Sequence, residues 1–199
     1  MFDLNNSNYE VFNKKLQFEN HLFDLFVYES EETKFLPYFR DKRNYPFYYY
    51  LGKKINPENV LIVGTCGGYK SGLICYSSEK IKNIYIFDFF KNKSLMRLTR
   101  NNLGKFRNVK KEFFNESNKE AFLKNDFFDL IVFDDIKIIE NKEILYFYYD
   151  LLKNKGFLIF DKVVENLELE NYLINFANKR NALVEKFQTR NKTLIINKI

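Results

Sequence analysis

Five short segments carry residues that can do chemistry, and each follows directly on a short apolar run. Gly64-Thr65-Cys66-Gly67-Gly68 follows Val60–Val63, and Asp88 follows Ile84–Phe87. Asn115-Glu116-Ser117 follows Val109–Phe114, Asp134-Asp135 follows Leu130–Phe133, and Asp161-Lys162 follows Phe157–Phe160. Glycines permit a tight turn and close backbone approach to a ligand, and a helix that starts there offers unpaired N–H donors. The same glycines also suit a turn with packing duties only. Asp88 stands 24 residues beyond Gly64. A carboxylate there can accept both hydroxyls of a ribose, a spacing that suits nucleoside-containing cofactors. Its other use is to cap the next helix. Taken together, the glycine turn and Asp88 favour a nucleoside-cofactor site.

The elements that position these segments follow from the spacing. Apolar runs of four to six residues without alternation suit strands buried on both faces of a parallel sheet. Polar, helix-like stretches separate them, at about 69–80, 91–105, 118–124 and 141–153, which implies right-handed βαβ units. Asn154-Lys155-Gly156 reads as a helix stop and a turn into the fifth strand. A further amphipathic helix spans about 167–181. The two segments 183–188 and 193–197, with Thr189–Lys192 between them, form a hairpin. The expected fold is α/β and Rossmann-like: a mostly parallel seven-stranded sheet with a C-terminal antiparallel hairpin and helices on both faces. In such sheets ligands bind beyond the carboxyl ends of the strands, where strand order reverses. The acidic residues after strands two to five then crowd one rim. They repel one another unless they bind donors, a cation or a ligand, although some can simply cap helices.

Residues 1–45 differ in character and read as a helical appendage or lid over a domain formed by 46–199. Pro46 fits the first turn of a short helix with Asn44 nearby as its cap. Of the Tyr48-Tyr49-Tyr50 cluster, only one or two rings can face a site, and core packing is the commoner use.

Composition narrows the remaining classes. In 199 residues, 46% are hydrophobic and 19% aromatic, which excludes a disordered or fibrous chain. The 23 Phe and the absence of Trp predict a phenylalanine-rich core. The charge of +6 is spread along the chain, so it reads as a solvated basic surface more readily than as a nucleic-acid face. Cys66 and Cys75 cannot build a disulfide framework, and no Cys/His spacing suggests a metal. The single histidine, His21, lies in an amphipathic stretch. No run of roughly 18 apolar residues exists to span a membrane, so a cytoplasmic location is expected.

Val60-Leu-Ile-Val-Gly-Thr-Cys-Gly-Gly-Tyr69 resembles the first motif of the class I S-adenosylmethionine (SAM)-dependent methyltransferases. Ile86-Phe-Asp88-Phe, Asn101-Asn-Leu, Asn108-Val, Phe128-Asp-Leu-Ile-Val-Phe-Asp134 and Leu151 to Asp161 follow in that family's order and approximate spacing. The resemblance covers about residues 45–199, and within the family the layout is most similar to small-molecule O-methyltransferases. It implies SAM as cofactor and transfer of a methyl group to a sugar or other metabolite hydroxyl. It also implies that the turn with Gly64, Thr65, Gly67 and Gly68 passes under the amino-acid portion of SAM. Asp88 then takes the ribose hydroxyls, Glu116 lies near the adenine, and Asp134 sits at the mouth of the transfer site. Methyl transfer needs mainly in-line placement of a nucleophile against the sulfonium.

Three positions depart from the family pattern. Ile62 stands where an acidic residue is usual, which removes a partner for the methionine end of SAM. Cys66 stands where a glycine is frequent. Some of these enzymes hold a divalent cation with an Asp after strand four and an Asp-Asn pair after strand five. Asp134 and Asp161 match that set, but Lys162 replaces the Asn, so no required metal is expected. If Lys162 faces inward, it can hold an anionic substrate, which makes it a catalytic candidate beside Asp134. The expected partner is a small-molecule substrate. An RNA methyltransferase and a catalytically silent binding protein on the same fold are the alternatives. The appendage can cover its own site or pack against a second copy, so a homodimer stays open.

Overall fold

The computed structural model describes residues 4, 6–16, 45–64, 66–88, 93–134, 142–161, 163, 166–187, 189 and 192–199. In chain order the elements are α1 (Asn6–Leu16), α2 (Tyr45–Ile55), β1 (Asn59–Val63), α3 (Tyr69–Ser77), β2 (Asn83–Phe87), α4 (Lys93–Gly104) and β3 (Lys110–Phe114). They continue as β4 (Phe128–Phe133), α5 (Lys142–Leu151), β5 (Leu152–Phe160), α6 (Leu167–Lys179), β6 (Leu183–Phe187) and β7 (Thr193–Asn197).

The seven strands form one sheet in the order β3-β2-β1-β4-β5-β7-β6. Strands β1 to β5 pair in parallel, whereas β7 runs antiparallel to both β5 and β6. The chain works outward from β1 to β3, then returns to place β4 on the other side of β1. Strand order therefore reverses between β1 and β4, which opens a crevice at their carboxyl ends.

Side-chain alternation explains the layers. Val60 and Ile62 of β1 face a cluster with Tyr48, Leu51, Leu73, Ile74 and Leu98 from α2, α3 and α4. Leu61 and Val63 face the opposite cluster with Leu145, Tyr148, Leu173 and Phe176 from α5 and α6. A strand covered on both faces has no polar positions, and β1 is buried throughout. Both edges are polar instead, which corrects the expectation that the run 109–114 is apolar and buried on both faces: β3 opens with Lys110-Lys-Glu and β6 carries Glu185-Lys, charges that discourage pairing with other chains.

Local signals account for the helix limits. Pro46 sits in the first turn of α2, and Lys53 and Lys54 lie in its last turn, where positive charge suits the helix dipole. Asn166 caps α6 by accepting from the Leu169 N–H at 3.0 Å, with Glu168 and Glu170 in the first turn. Two readings need correction. The helix expected over 118–124 is only a 3-10 turn at Lys119–Ala121, because Asn115 and Asn118 tie up the backbone: Asn118 Oδ1 accepts from the Asn115 N–H at 2.9 Å. The turn expected at Asn154–Gly156 is a bulge inside β5. Phe128 pairs with Leu152 but Leu130 with Phe157, and Lys155 absorbs the bend at φ 66°. The Lys155 N–H and the Gly156 carbonyl there pair with Lys198 across β7, so the ladder takes up the extra residues.

The phenylalanine-rich core is present, with Phe47, Phe114, Phe128, Phe133, Phe160 and Phe187 all fully buried. Tyr9 of α1 packs edge-on against Phe47 and against Phe187 of β6, which fixes this end of the amino-terminal segment to the sheet. The rest of that appendage, 17–44 with His21 and Asn44, lies outside the described residues. Among the described residues no helix is long and apolar enough to cross a membrane.

Candidate active site

One row of residues defines the carboxyl edge of the sheet. Gly64, Asp88, Asp134 and Asp161 are each the first residue past a strand, and each donates its backbone N–H to the last residue of a neighbouring strand. The Gly64 N–H reaches the Phe87 carbonyl at 2.9 Å, and that of Asp88 reaches Phe114 at 3.2 Å. The Asp134 N–H reaches Val63 at 2.9 Å and that of Asp161 reaches Phe133 at 3.4 Å. The ladder thus extends one residue beyond the apolar runs and sets the four in the order Asp88, Gly64, Asp134, Asp161 along one rim. Adjacent strands lie about 4.8 Å apart, so the row spans the space a nucleoside needs.

The glycine turn rises from this row into α3. Gly64, Gly67 and Gly68 all adopt positive φ, at 93°, 72° and 80°. Gly68 is also pressed against α4, where a Cβ would come within 3.1 Å of the Thr99 Cα. Asn102 Nδ2 donates to the Gly67 carbonyl at 2.9 Å, and both groups are buried. The packing role of these glycines is therefore real, and it is what holds the turn open under the start of α3. Thr65 and the Cys66 side chain lie outside the described residues.

Asp134 and Asp161 meet a partner that sequence reasoning missed. Lys70, in the first turn of α3, donates to Asp134 Oδ1 and to Asp161 Oδ2, the latter at 2.6 Å. Both carboxylates are almost wholly enclosed, with 3% and 1% of their side chains exposed, against 11% for Lys70. The Tyr48 hydroxyl donates to Asp161 Oδ2 at 2.9 Å, and the Lys70 ammonium lies 5.0 Å from the Tyr48 ring centre. Thr193 Oγ1 adds a long contact to Asp161 Oδ1 at 3.4 Å. Burial, then the Asp161 charge, pushes the Tyr48 phenol well above its ordinary value, so it stays a protonated donor at neutral pH. Removing one member of such a buried pair costs about 3–5 kcal/mol, because the partner charge is left uncompensated.

The other candidates sit further out. Asp88 is half-buried at the end of β2. Glu116 lies on the exposed turn after β3 and pairs with Lys119. Burial, and then the Glu116 charge, pushes up the phenol of Tyr148 on α5. Ile62 is 1% exposed, in register with Ile86 and Val132, so an apolar residue completes the sheet where a carboxylate was the family expectation. Lys162 and Asp135 lie outside the described residues. A cavity of about 520 Å³, lined by Cys75, Ile81, Lys105, Arg107 and Val109, opens at the opposite, amino-terminal edge of the sheet. It is remote from the row of residues at the carboxyl edge.

The signal for Lys70 is visible in retrospect. Tyr69-Lys-Ser-Gly-Leu-Ile-Cys75 buries every residue but Lys70, so a lone lysine in an inward-facing helix had to find a carboxylate. Tyr48 belonged to a cluster read mainly as core, and its ring does pack there. Its hydroxyl is the part that joins the site.

Comparison with solved structures agrees with the strand order. The chain superposes on the O-methyltransferase TomG from Streptomyces achromogenes, solved with SAM, at a TM-score of 0.69 and 12% identity over 100% of both chains. The fold is that of the class I methyltransferases. The Podospora anserina methyltransferase PaMTH1 with bound S-adenosylhomocysteine (SAH) gives 0.68 at 13% identity, over 90% of this chain and 88% of that one. An O-methyltransferase from Bacillus cereus with SAH gives 0.61 at 15%, over 94% and 91%. No family model and no curated protein matches the sequence. The class I fold thus persists here at identities that carry no information about substrate.

Proposed function

We propose that this protein is a SAM-dependent methyltransferase that acts on the hydroxyl of a small molecule, such as a sugar or another metabolite. The observation that carries the reading is the row Asp88–Gly64–Asp134–Asp161 across the point where strand order reverses. The solved structures with this fold include methyltransferases with SAM or SAH bound, two of them O-methyltransferases, which supports the same cofactor here.

The residues present fit such a cofactor. Positive φ at Gly64, Gly67 and Gly68 keeps side chains out of the turn, and the start of α3 presents backbone N–H groups to an α-carboxylate. On this reading Asp88, half-buried at the end of β2, accepts two ribose hydroxyls, and Glu116 lies on the adenine side. SAM supplies a methyl group on a sulfonium, open to in-line attack. The protein's task is then to hold the acceptor oxygen in line and exclude water. Asp134, at the rim between β1 and β5, is the residue we assign to the mouth of the transfer site, while Tyr48, fixed as a donor, is no base. Lys162 remains a candidate for holding an anionic acceptor.

The test is transfer of labelled methyl from SAM to a panel of hydroxylated metabolites, with RNA in parallel. Label on a small molecule that depends on Asp134 supports the reading. Label on RNA alone contradicts the substrate class.

A further inference from the structure

The cluster beneath the rim contains a cation of its own. Two aspartates after β4 and β5 are the ligand types with which some enzymes of this fold hold a divalent ion. Here an ammonium stands between them: Lys70 bonds Asp134 Oδ1 on one side and Asp161 Oδ2 on the other. The Asp161 oxygens are committed elsewhere too. Asp161 Oδ2 also accepts from Tyr48, and Asp161 Oδ1 faces Thr193. Divalent ions such as Mg²⁺ or Mn²⁺ need several oxygens in a near-octahedral shell and tolerate no positive charge inside it. The donor set therefore does not fit a metal while Lys70 is in place.

We propose that Lys70 is the resident cation of this site, built into the chain in place of a divalent ion. The first turn of α3 supplies the charge, so the glycine turn that forms the cofactor cradle also delivers the ammonium to the acceptor side. On the methyltransferase reading, on which this last step rests, transfer proceeds without a metal, and Lys70 positions Asp134 and Asp161 for it.

Cation binding can be read without any cofactor or acceptor. Mn²⁺ is titrated into the intact protein and followed by electron paramagnetic resonance, with melting temperature as a second readout. The wild type binds no Mn²⁺ at this cluster and shows no melting shift. Lys70→Met removes the ammonium between the two carboxylates; it gains Mn²⁺ binding that the wild type lacks and is restabilised by the ion, and Asp161→Asn in that background removes the gain. Lys70→Gln, which keeps a donor, is the second variant where Lys70→Met folds poorly. Mn²⁺ bound by the wild type and lost in Asp161→Asn overturns the proposal. So does a folded Lys70→Met or Lys70→Gln protein that gains no Mn²⁺ binding. Separate SAH titrations decide the cofactor reading, so the two can fail independently.

Discussion

Replacing Tyr48 by Phe removes one oxygen from a fully buried ring and leaves the aromatic packing of α2 intact. That oxygen donates to Asp161 Oδ2 at 2.9 Å. A hydrogen bond to a charged acceptor contributes about 1.5–3 kcal/mol, and no cavity term is added because the ring stays. Asp161 keeps Lys70 at 2.6 Å and the long Thr193 contact, so it is not orphaned. The expected loss is therefore in the lower part of that range, about 1.5–2 kcal/mol. For a chain of this length that is a fall in Tm of about 3–8 °C. Urea unfolding measures it, with an unchanged slope showing that stability alone has altered. The sign with pH follows from the phenol. Its folded value is raised above the ordinary 10.0, so its contribution is complete below pH 10 and drains away as pH rises beyond that. Tyr48→Phe flattens this alkaline decline. A loss under about 0.5 kcal/mol refutes the reasoning, as does an equal loss in an Asp161→Asn background, which would leave no coupling between the two.

Two further outcomes test the scaffold. Gly68→Ala places a Cβ at φ 80° and 3.1 Å from the Thr99 Cα. The left-handed conformation alone costs about 1–2 kcal/mol, so urea unfolding shows a loss of about 2 kcal/mol or more. Burial pushes the Cys75 thiol from 9.0 up to about 12. Its contribution is complete below pH 9 and is lost between pH 9 and 12 as the unfolded chain ionises first, so Cys75→Ala flattens the stability profile in that window.

The centre of the sheet was legible because its inner strands are short, apolar and buried on both faces; Val60–Val63 and Leu130–Phe133 leave little other use for such runs. The hairpin was legible because Thr189–Lys192 is a polar break between two strand-like segments. The row of rim residues followed from topology alone, since in a parallel sheet every strand ends on the same side. What lay outside that logic depends on tertiary partners. The bulge at Lys155 looked like a turn because the same glycine-bearing segment serves both, and only pairing with Lys198 decides between them. The short 3-10 turn at Lys119–Ala121 lost its helix to asparagine side chains that compete for the backbone. Lys70 and Tyr48 come from two helices to one carboxylate, and no sequence period links positions 48, 70 and 161. The three meet only because α2 and α3 pack side by side over the rim.

The cofactor cradle is the centre of the account, and calorimetry with SAH tests it most directly, with SAM and NAD alongside, on wild type and Asp88→Ala. SAH and SAM bind the wild type in this assay and NAD does not. Asp88→Ala stays folded and loses roughly tenfold or more in affinity, the value of charged hydrogen bonds to ribose hydroxyls. Folded wild-type protein that binds neither SAH nor SAM, or an Asp88→Ala variant with undiminished affinity, would contradict the cofactor assignment.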